Sequence, residues 1–379
     1  MKRTAILLIA LLLCGCTYSN PETTVPKNVN TAPTDPTITT ETQAQDAIKL
    51  QLDSLTVKQK VGQLFLARCP EETALEDIAA FHLGGYILFA RDFEGQTPED
   101  LSNTLAQYQC ASAIPMLIAV DEEGGTVCRV SANEAFRSSR FSSLRNLYAS
   151  GGLDAILAEE SEKCDLLSSI GINVNMAPVC DITTDPNAFM YKRSLGQDAK
   201  TTALCISQIT ELMNSKQMGS VLKHFPGYGN NKDTHLDTAN DQRPLSQLEE
   251  TDLLPFMAGI EADCDAILIS HTIIAALDSE NPASLSAPVI SYLRNELHFN
   301  GVIVTDDLVM KAITKHYTPE EAAVMAILAG NDLLCSTEYR TQYTAVLKAV
   351  NAGIISMEQL DAAVYRILQW KWDLGLFES

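Results

Sequence analysis

Short apolar runs alternate with longer amphipathic segments from about residue 46 to the end of the 379-residue chain. Branched aliphatic residues dominate seven of these runs, which are predicted strands: 85–89, 115–120, 172–176, 220–223, 266–269, 302–304 and 332–334. The segments between them repeat apolar residues at helical spacing, and two begin with the capping patterns Thr318-Pro319-Glu320-Glu321 and Ser356-Met357-Glu358-Gln359. Alternating strands and helices indicate a parallel sheet, either doubly wound or closed into a (β/α)₈ barrel.

Two observations favour the barrel. The chain has no Gly-x-Gly-x-x-Gly after its first predicted strand and no phosphate-binding Gly-Lys-Ser/Thr loop. Both observations argue against a nucleotide-binding, doubly wound fold. Polar residues instead cluster directly after several predicted strands, where barrel enzymes build their sites. The sequence therefore predicts an α/β protein with a single catalytic domain, a (β/α)₈ TIM-type barrel over residues 46–379.

The first sixteen residues have the pattern of a signal peptide. Lys2 and Arg3 precede an apolar run over 5–13 that is too short to span a bilayer, and Leu13-Cys14-Gly15-Cys16 resembles the lipobox of bacterial lipoproteins. We therefore expect a lipid on Cys16 that anchors the protein outside the bacterial cell membrane, with a plain secretory signal as the alternative. Residues 17–45, rich in Thr, Pro and Asn, are predicted to be a flexible stalk.

Composition narrows the class of partner. The formal net charge of −21 argues against nucleic acid, because phosphate contacts need a basic face. Of the ten cysteines, the eight beyond Cys16 lack the paired spacing of a zinc site, and the histidines and acids lack the i, i+4 spacing of a metal-binding helix. No metal is therefore predicted, and the pairing of the cysteines is left open.

Four polar clusters follow predicted strands and are candidates for chemistry: 121–129, 175–181 with 192–196, 223–235, and 301–310. In the third, Asp233 and His235 can hydrogen-bond within one turn, and an Asp on one ring nitrogen raises the basicity of the other. In the last, Asp306 and Asp307 are adjacent acids at the mouth of an apolar strand, which is costly unless they are paired or functional. Taken singly, a tight turn with a solvated acidic tip explains the first cluster better, and an Asx-type turn explains the Asp233–His235 pair better.

Taken together, the order and spacing of these clusters resemble glycoside hydrolase family 3, and within it the β-N-acetylglucosaminidase branch. The resemblance runs from Val61-Gly62-Gln63-Leu64-Phe65 to Leu374-Gly375-Leu376-Phe377. It implies that Asp306 is the nucleophile, and that His235, backed by Asp233, protonates the leaving group and then activates water. It also implies a sugar-binding set in the −1 subsite, formed by Asp121, Arg129, Arg193, Lys223 and His224.

The function that the resemblance implies is that of a retaining exo-β-N-acetylglucosaminidase. Its substrates would be peptidoglycan fragments, it would need no cofactor, and it would act as a monomer attached to the membrane by its lipid. A β-glucosidase or β-xylosidase of the same family is the alternative enzyme. A lipoprotein that binds cell-wall glycan without cleaving it is the alternative from a different class.

The chain departs from the family in a few positions. The family loop Lys-His-Phe-Pro-Gly-His-Gly has Tyr228 here in place of its second histidine. Tyrosine keeps a hydroxyl but loses a group that titrates near neutral pH, so we expect the pose or the pH response of this loop to differ. Cys128 and Leu195 replace the more usual Gln and Phe and are interpreted as packing changes.

Overall fold

The computed structural model describes residues 36–183, 185–231, 233–234 and 238–377. The predicted signal peptide 1–16 with its lipidation site Cys16, and residues 17–35 of the predicted stalk, lie outside the described residues, as does His235. One compact unit covers residues 43–379. No helix within the described ranges has the length and apolar character that crossing a bilayer requires.

Parallel strands form a closed barrel in which the last strand pairs with the first. The strands are β1 (Phe65–Arg68), β2 (Gly85–Leu88), β3 (Leu117–Val120), β4 (Val174–Asn175), β5 (Gly219–Phe225), β6 (Asn240–Asp241), β7 (Ala266–Ile269), β8 (Ile273–Ile274), β9 (Val302–Thr305) and β10 (Leu333–Ser336). Within the described residues, β6 and β8 pair with each other, and the other eight close the barrel in the order β1-β2-β3-β4-β5-β7-β9-β10. The predicted (β/α)₈ barrel is therefore confirmed.

Helices cover the outside of the barrel and connect its strands. They are α1 (Pro36–Ser54), α2 (Val57–Gln63), α3 (Ala74–Phe81), α4 (Pro98–Ala111), α5 (Leu144–Ser169), α6 (Ala199–Ser215), α7 (Leu245–Glu250), α8 (Leu253–Glu261), α9 (Ala287–Ser291), α10 (Lys311–Thr314), α11 (Pro319–Ala329), α12 (Tyr339–Asn351) and α13 (Met357–Asp373). Short helical turns also occur at Ala90–Phe93, Ala283–Leu285 and Tyr292–Glu296. Helix α5 is kinked at Gly151 and Gly152, whose backbone angles are not helical.

The barrel strands are buried on both faces, which explains their sequence pattern. Every residue of β2, β3, β7, β9 and β10 is buried, with side chains pointing alternately into the barrel and toward the helices. A strand covered on both sides needs apolar residues at successive positions, and that is why these strands appear in the sequence as continuous apolar runs. The core therefore lies inside the barrel and in the layer between barrel and helices.

Two predicted helix starts are confirmed, and a further helix begins inside the range predicted as the stalk. Thr318 and Glu321 form a reciprocal capping box at α11, and the Ser356 hydroxyl accepts a hydrogen bond from the Gln359 N–H at 3.1 Å in α13. Helix α1 begins at Pro36, whereas the stalk was predicted to continue to residue 45. Pro is favoured in a first helical turn, and the Glu, Gln and Ala that follow are good helix formers, which accounts for a helix in this range.

The cysteines left unassigned by the sequence form no disulfide within the described residues. All eight are free thiols, and seven of them are buried. Burial raises the pKa of the Cys69 and Cys164 thiols to about 12. These cysteines therefore behave as small apolar core residues at neutral pH.

The carboxyl ends of the barrel strands bring the candidate residues to one mouth. Asp121 follows β3, and Asp306 follows β9. Lys223 and His224 are the third-last and second-last residues of β5. Because all barrel strands run in the same direction, residues at these positions converge even when they are far apart in the sequence.

Candidate active site

A cavity of about 720 Å³ opens at the carboxyl ends of the strands. Seven of the eight predicted catalytic and sugar-binding residues line it: Asp121, Arg129, Arg193, Lys223, His224, Asp233 and Asp306. The eighth, His235, lies outside the described residues. The structure thus places the predicted residues that it describes around one site.

Lys223 is the centre of a buried ion cluster at this mouth. Its Nζ lies 2.7 Å from Oδ1 of Asp121 and 2.7 Å from Oε1 of Glu123. Burial disfavours the charged ammonium, but the two carboxylates outweigh it and raise the pKa of Lys223 above its usual range. The lysine is therefore charged at neutral pH, and it fixes both acids.

Arg193 holds Glu123 from the other side. Its guanidinium donates from Nε to Oε2 at 2.9 Å and from Nη2 to Oε1 at 2.6 Å, a bidentate pair. Burial opposes ionisation of this carboxyl, yet Arg193 and Lys223 together hold the pKa of Glu123 well below its usual range. Glu123 is thus a permanent anion that spaces two cations, a role that the sequence did not assign to it.

His224 is held in one tautomer by its neighbours. Arg193 Nη2 lies 3.1 Å from Nε2 of His224, and because a guanidinium can only donate, Nε2 accepts. The ring proton is then on Nδ1, which donates to Oδ2 of Asp181 at 2.7 Å. The His224 ring is therefore fixed between a cation and a buried carboxylate.

Asp181 is a further site residue that sequence reasoning did not select, although it stands in one of the four clusters. Its side chain is fully buried, and it accepts hydrogen bonds from the ring and the backbone N–H of His224 and from the backbone N–H of Tyr228. Asp181 does not itself line the cavity. Its role is to orient the residues that do.

The adjacent acids after β9 have different environments. The Asp307 carboxylate accepts hydrogen bonds from the Thr337 hydroxyl at 2.6 Å, the Thr337 N–H at 3.2 Å and the Val309 N–H at 3.2 Å. Burial raises the pKa of Asp307, although these hydrogen bonds oppose the shift. Oδ1 of Asp306 accepts the Asp307 N–H at 2.9 Å, and Asp306 lines the cavity beside the Lys223 cluster. Both acids line the cavity, but Asp307 is tied to the barrel rim by Thr337 and Val309, whereas Asp306 comes directly after the rigid end of β9.

Two cations and an aromatic ring close the wall next to β1 and β2. The guanidiniums of Arg68 and Arg129 lie 4.6 and 5.8 Å from the centre of the Phe89 ring. Arg129 also lies 3.8 Å from Oδ2 of Asp121, across the rim from Lys223. Arg68 and Phe89 were not predicted. Arg68 is the last residue of β1, a strand that the apolar pattern did not predict. A position at the carboxyl end of a predicted strand is the signal that could have identified Arg68.

The loop after β5 carries Asp233 to the cavity. Gly227 has a φ of 119°, and a Cβ there would lie 2.7 Å from the Cβ of Asp252, so this turn requires glycine. Tyr228 follows and is buried, with 1% of its surface exposed. The predicted Asp-x-His pair is therefore seen in part: Asp233 lines the cavity and His235 is outside the described residues.

The arrangement is suited to a polar, neutral ligand. Arg129, Arg193 and Lys223 are each paired with an acid at the mouth, so this part of the site presents donors and acceptors in fixed positions without a large net charge. Vicinal hydroxyl groups can hydrogen-bond to such alternating donors and acceptors. A carboxylate at a rigid strand end can attack an electrophilic carbon of a ligand bound in this cavity.

Comparison with known proteins agrees with this chemistry. The sequence model of the glycosyl hydrolase family 3 N-terminal domain matches residues 56–370. The β-hexosaminidase of Xanthomonas campestris is 33% identical over 240 residues, which are 61% of this chain and 70% of that protein. The β-hexosaminidase of Nitrosomonas eutropha is 32% identical over 266 residues, 66% and 73% of the two chains.

A solved structure is also similar to this chain and is of the same family. A glycoside hydrolase family 3 β-N-acetylglucosaminidase from Paenibacillus sp. superposes with a TM-score of 0.80 at 32% sequence identity. The superposition covers 86% of this chain and 64% of the Paenibacillus chain, so this chain spans just under two thirds of that protein.

Proposed function

Since the chain belongs to glycosyl hydrolase family 3, we propose that this β-N-acetylhexosaminidase is a retaining exo-enzyme. It removes terminal β-linked N-acetylglucosamine from peptidoglycan fragments by way of a covalent glycosyl-enzyme. The observation that carries the proposal is the position of Asp306, an acid at a rigid strand end that lines the same cavity as the paired charges of Lys223, Asp121 and Glu123.

In the first step of this mechanism, a carboxylate oxygen of Asp306 attacks the anomeric carbon as the bond to the leaving oxygen breaks. Formation of the ester neutralises the Asp306 carboxylate, and the leaving group takes a proton from His235. In the second step, His235 removes a proton from water, whose oxygen attacks the anomeric carbon and releases Asp306. Two inversions give net retention.

The sugar-binding roles follow from the contacts at the mouth. Asp121 and Lys223 face the cavity as an acceptor and a donor 2.7 Å apart, a spacing that suits adjacent hydroxyl groups. Arg193 and His224 extend this surface, and Arg129 lies across the rim. Lys223, Arg193 and His224 are each held by a buried carboxylate, so little ordering of these side chains is needed when the sugar binds.

The substrate and the location of the enzyme are linked. A lipid on Cys16 would hold the barrel outside the cytoplasmic membrane, where polymers that contain β-linked N-acetylglucosamine make up the cell wall. An acidic protein whose cavity carries paired charges suits a carbohydrate chain better than a polyanion.

The test uses the full chain and two nitrophenyl glycosides, the β-N-acetylglucosaminide and the β-glucoside. We expect strong preference for the acetamido sugar and a loss of kcat on the order of 10⁴-fold in Asp306→Asn. The matched control is Asp307→Asn, which removes a carboxylate one residue away that is bound to Thr337. A preference for the glucoside would favour the β-glucosidase alternative, and activity on neither glycoside would favour a glycan-binding lipoprotein.

A further inference from the structure

Tyr228, the position at which the β5 loop departs from the family pattern, makes a specific contact. Its hydroxyl is hydrogen-bonded to Oγ1 of Thr234, and both side chains are buried. Thr234 stands between Asp233 and His235 in the sequence. A phenol carries its oxygen farther from the backbone than an imidazole carries its nitrogens, so this bond depends on the tyrosine.

The other end of Tyr228 is attached to the sugar-binding side of the site. Its backbone N–H donates to Oδ1 of Asp181 at 2.7 Å. The second oxygen of the same carboxylate accepts from the His224 ring at 2.7 Å and from the His224 backbone at 3.1 Å. One buried carboxylate therefore fixes both His224 and the start of the loop.

Two neighbouring aromatic rings fix the position of the Tyr228 ring. The ring stands edge-on to the His224 ring, with centroids 5.3 Å apart and an interplanar angle of 89°, and it contacts Phe189 at 5.7 Å. Thr234 is held from a second side as well, since its carbonyl accepts the Ala312 N–H at 3.3 Å, a few residues after Asp306. The far end of the loop is thus attached to both the β5 and the β9 sides of the barrel mouth.

We propose that Tyr228 is a positioning residue, whose hydroxyl holds Thr234 and with it the neighbouring Asp233, the cavity-lining carboxylate that the proposed mechanism places behind the acid–base residue. This inference rests on the proposed function, because it requires His235 to be the acid and base. In this proposal Tyr228 determines the position from which the leaving group is protonated. Sugar binding depends on the other residues.

Tyr228 does not supply the proton itself. Burial and the nearby Asp306 carboxylate raise the pKa of Tyr228 far above its usual range. The hydroxyl therefore stays protonated at every pH at which the enzyme is assayed, and its part in the reaction is limited to the bond with Thr234.

The test compares two leaving groups on the full chain. A 2,4-dinitrophenyl β-N-acetylglucosaminide departs without a proton, whereas a phenyl β-N-acetylglucosaminide needs one, so the ratio of their kcat/KM values reports protonation of the leaving group. Acid–base catalysis is worth about 10²- to 10⁴-fold, and we expect Tyr228→Phe to lose about tenfold of it on the phenyl substrate. On the dinitrophenyl substrate we expect less than about a twofold change, with KM altered little on both.

Thr234 provides a paired test that leaves the tyrosine in place. Thr234→Val removes the hydroxyl in an isosteric side chain and is expected to match Tyr228→Phe, whereas Thr234→Ser keeps the hydroxyl and is expected to retain the wild-type ratio. The double variant Tyr228→Phe with Thr234→Val should lose no more than either single variant, since both remove one bond. Tyr86→Phe is the control for loss of a buried tyrosine hydrogen bond elsewhere, because its hydroxyl donates to the Ala74 carbonyl at 2.8 Å outside the cavity.

The outcomes separate the two proposals. Equal losses on the two substrates, or a Thr234→Ser variant as impaired as Thr234→Val, would overturn the positioning role while leaving the glycosidase intact. A wild-type chain that cleaves neither acetamido glycoside would overturn the proposed function, and the positioning role with it. If Tyr228→Phe does not fold, the two Thr234 variants decide the question alone.

Discussion

At the amino ends of the barrel strands, Asp332 is enclosed by Arg294, which contacts its Oδ2, by Arg366 at 2.8 Å and by the Ile303 N–H at 2.8 Å. At the carboxyl ends, Lys223 is enclosed in a similar way by Asp121 and Glu123, yet this second cluster lines a cavity of about 720 Å³. Both ends therefore bury ion pairs at considerable desolvation cost. At the amino ends both arginines bind the one carboxylate of Asp332, and Arg366 borders a cavity of about 300 Å³. At the carboxyl ends the cluster lines the larger cavity together with Asp306, the candidate nucleophile. Buried charge alone does not identify a functional site in this fold, because both ends of the barrel contain it. The site is identified by the end of the barrel at which the charge lies.

The largest effect that would sharpen this comparison is expected for Glu123→Gln. The change leaves Arg193 and Lys223 as buried cations without their shared anion, which costs about 2–5 kcal/mol where such pairs are broken. We expect kcat/KM on the acetamido glycoside to fall about 10²- to 10³-fold as the cations rearrange. Steady-state kinetics measures this, and a change below about threefold would show that the cluster does not organise the site.

The corresponding change at the other end is Asp332→Asn. It leaves Arg294 and Arg366 without their anion and is expected to lower the free energy of unfolding by about 3 kcal/mol. Denaturant unfolding measures that loss, and kinetics on the remaining folded enzyme should give wild-type kcat and KM. A loss of kcat with unchanged stability would contradict the division between the two ends.

The pH dependence of activity should separate the histidine from the ion cluster. Because the pKa of Glu123 is held below its usual range, its stabilising contribution is present above the ordinary carboxyl pKa and is lost only as the pH falls through that lower value. Glu123 thus stays charged from pH 5 to 8, and we expect the acid limb of kcat, about tenfold per pH unit, to come from protonation of His235. A flat profile over this range would argue against His235 as the base.

The smallest effect concerns Lys371, which is buried at the amino ends with Nζ 2.6 Å from Oε1 of Gln63. Burial lowers the pKa of Lys371 from 10.5 to about 7, so the folded state binds fewer protons than the unfolded state between these values. Stability should therefore rise with pH above about 7, by about 1 kcal/mol between pH 7 and 8. Lys371→Met should abolish this rise in denaturant unfolding, and activity should be unaffected.

Most of the fold was predictable because the barrel strands carry an unambiguous pattern. Strands β2 to β5, β7, β9 and β10 coincide with the predicted apolar runs, and barrel closure followed from the polar clusters after them. Strand β1 was missed because Phe65–Arg68 follows α2 after a single residue, so no turn signal separates the two. Its absence from the prediction also removed Arg68 from the candidate site.

Side-chain direction was the part of the site that could not be predicted. Asp121, Glu122 and Glu123 are consecutive, and the sequence does not say which of them face the cavity. Glu122 faces away and accepts the Arg129 and Val130 N–H groups at 2.8 and 2.7 Å, whereas Glu123 binds Arg193, seventy positions later in the chain. Contacts of that sequence separation depend on the closed barrel, and no local pattern encodes them.

The central claim is that Asp306 forms a covalent bond to the sugar, and trapping that intermediate tests it most directly. The full chain would be incubated with a fluorinated N-acetylglucosaminyl fluoride, whose electron-withdrawing fluorine slows hydrolysis of the glycosyl-enzyme, and then analysed by intact and peptide mass spectrometry. We predict one adduct per chain, on Asp306, absent from Asp306→Asn and present in Asp307→Asn. An adduct on a different residue, or turnover of acetamido glycosides with no adduct at all, would contradict the account.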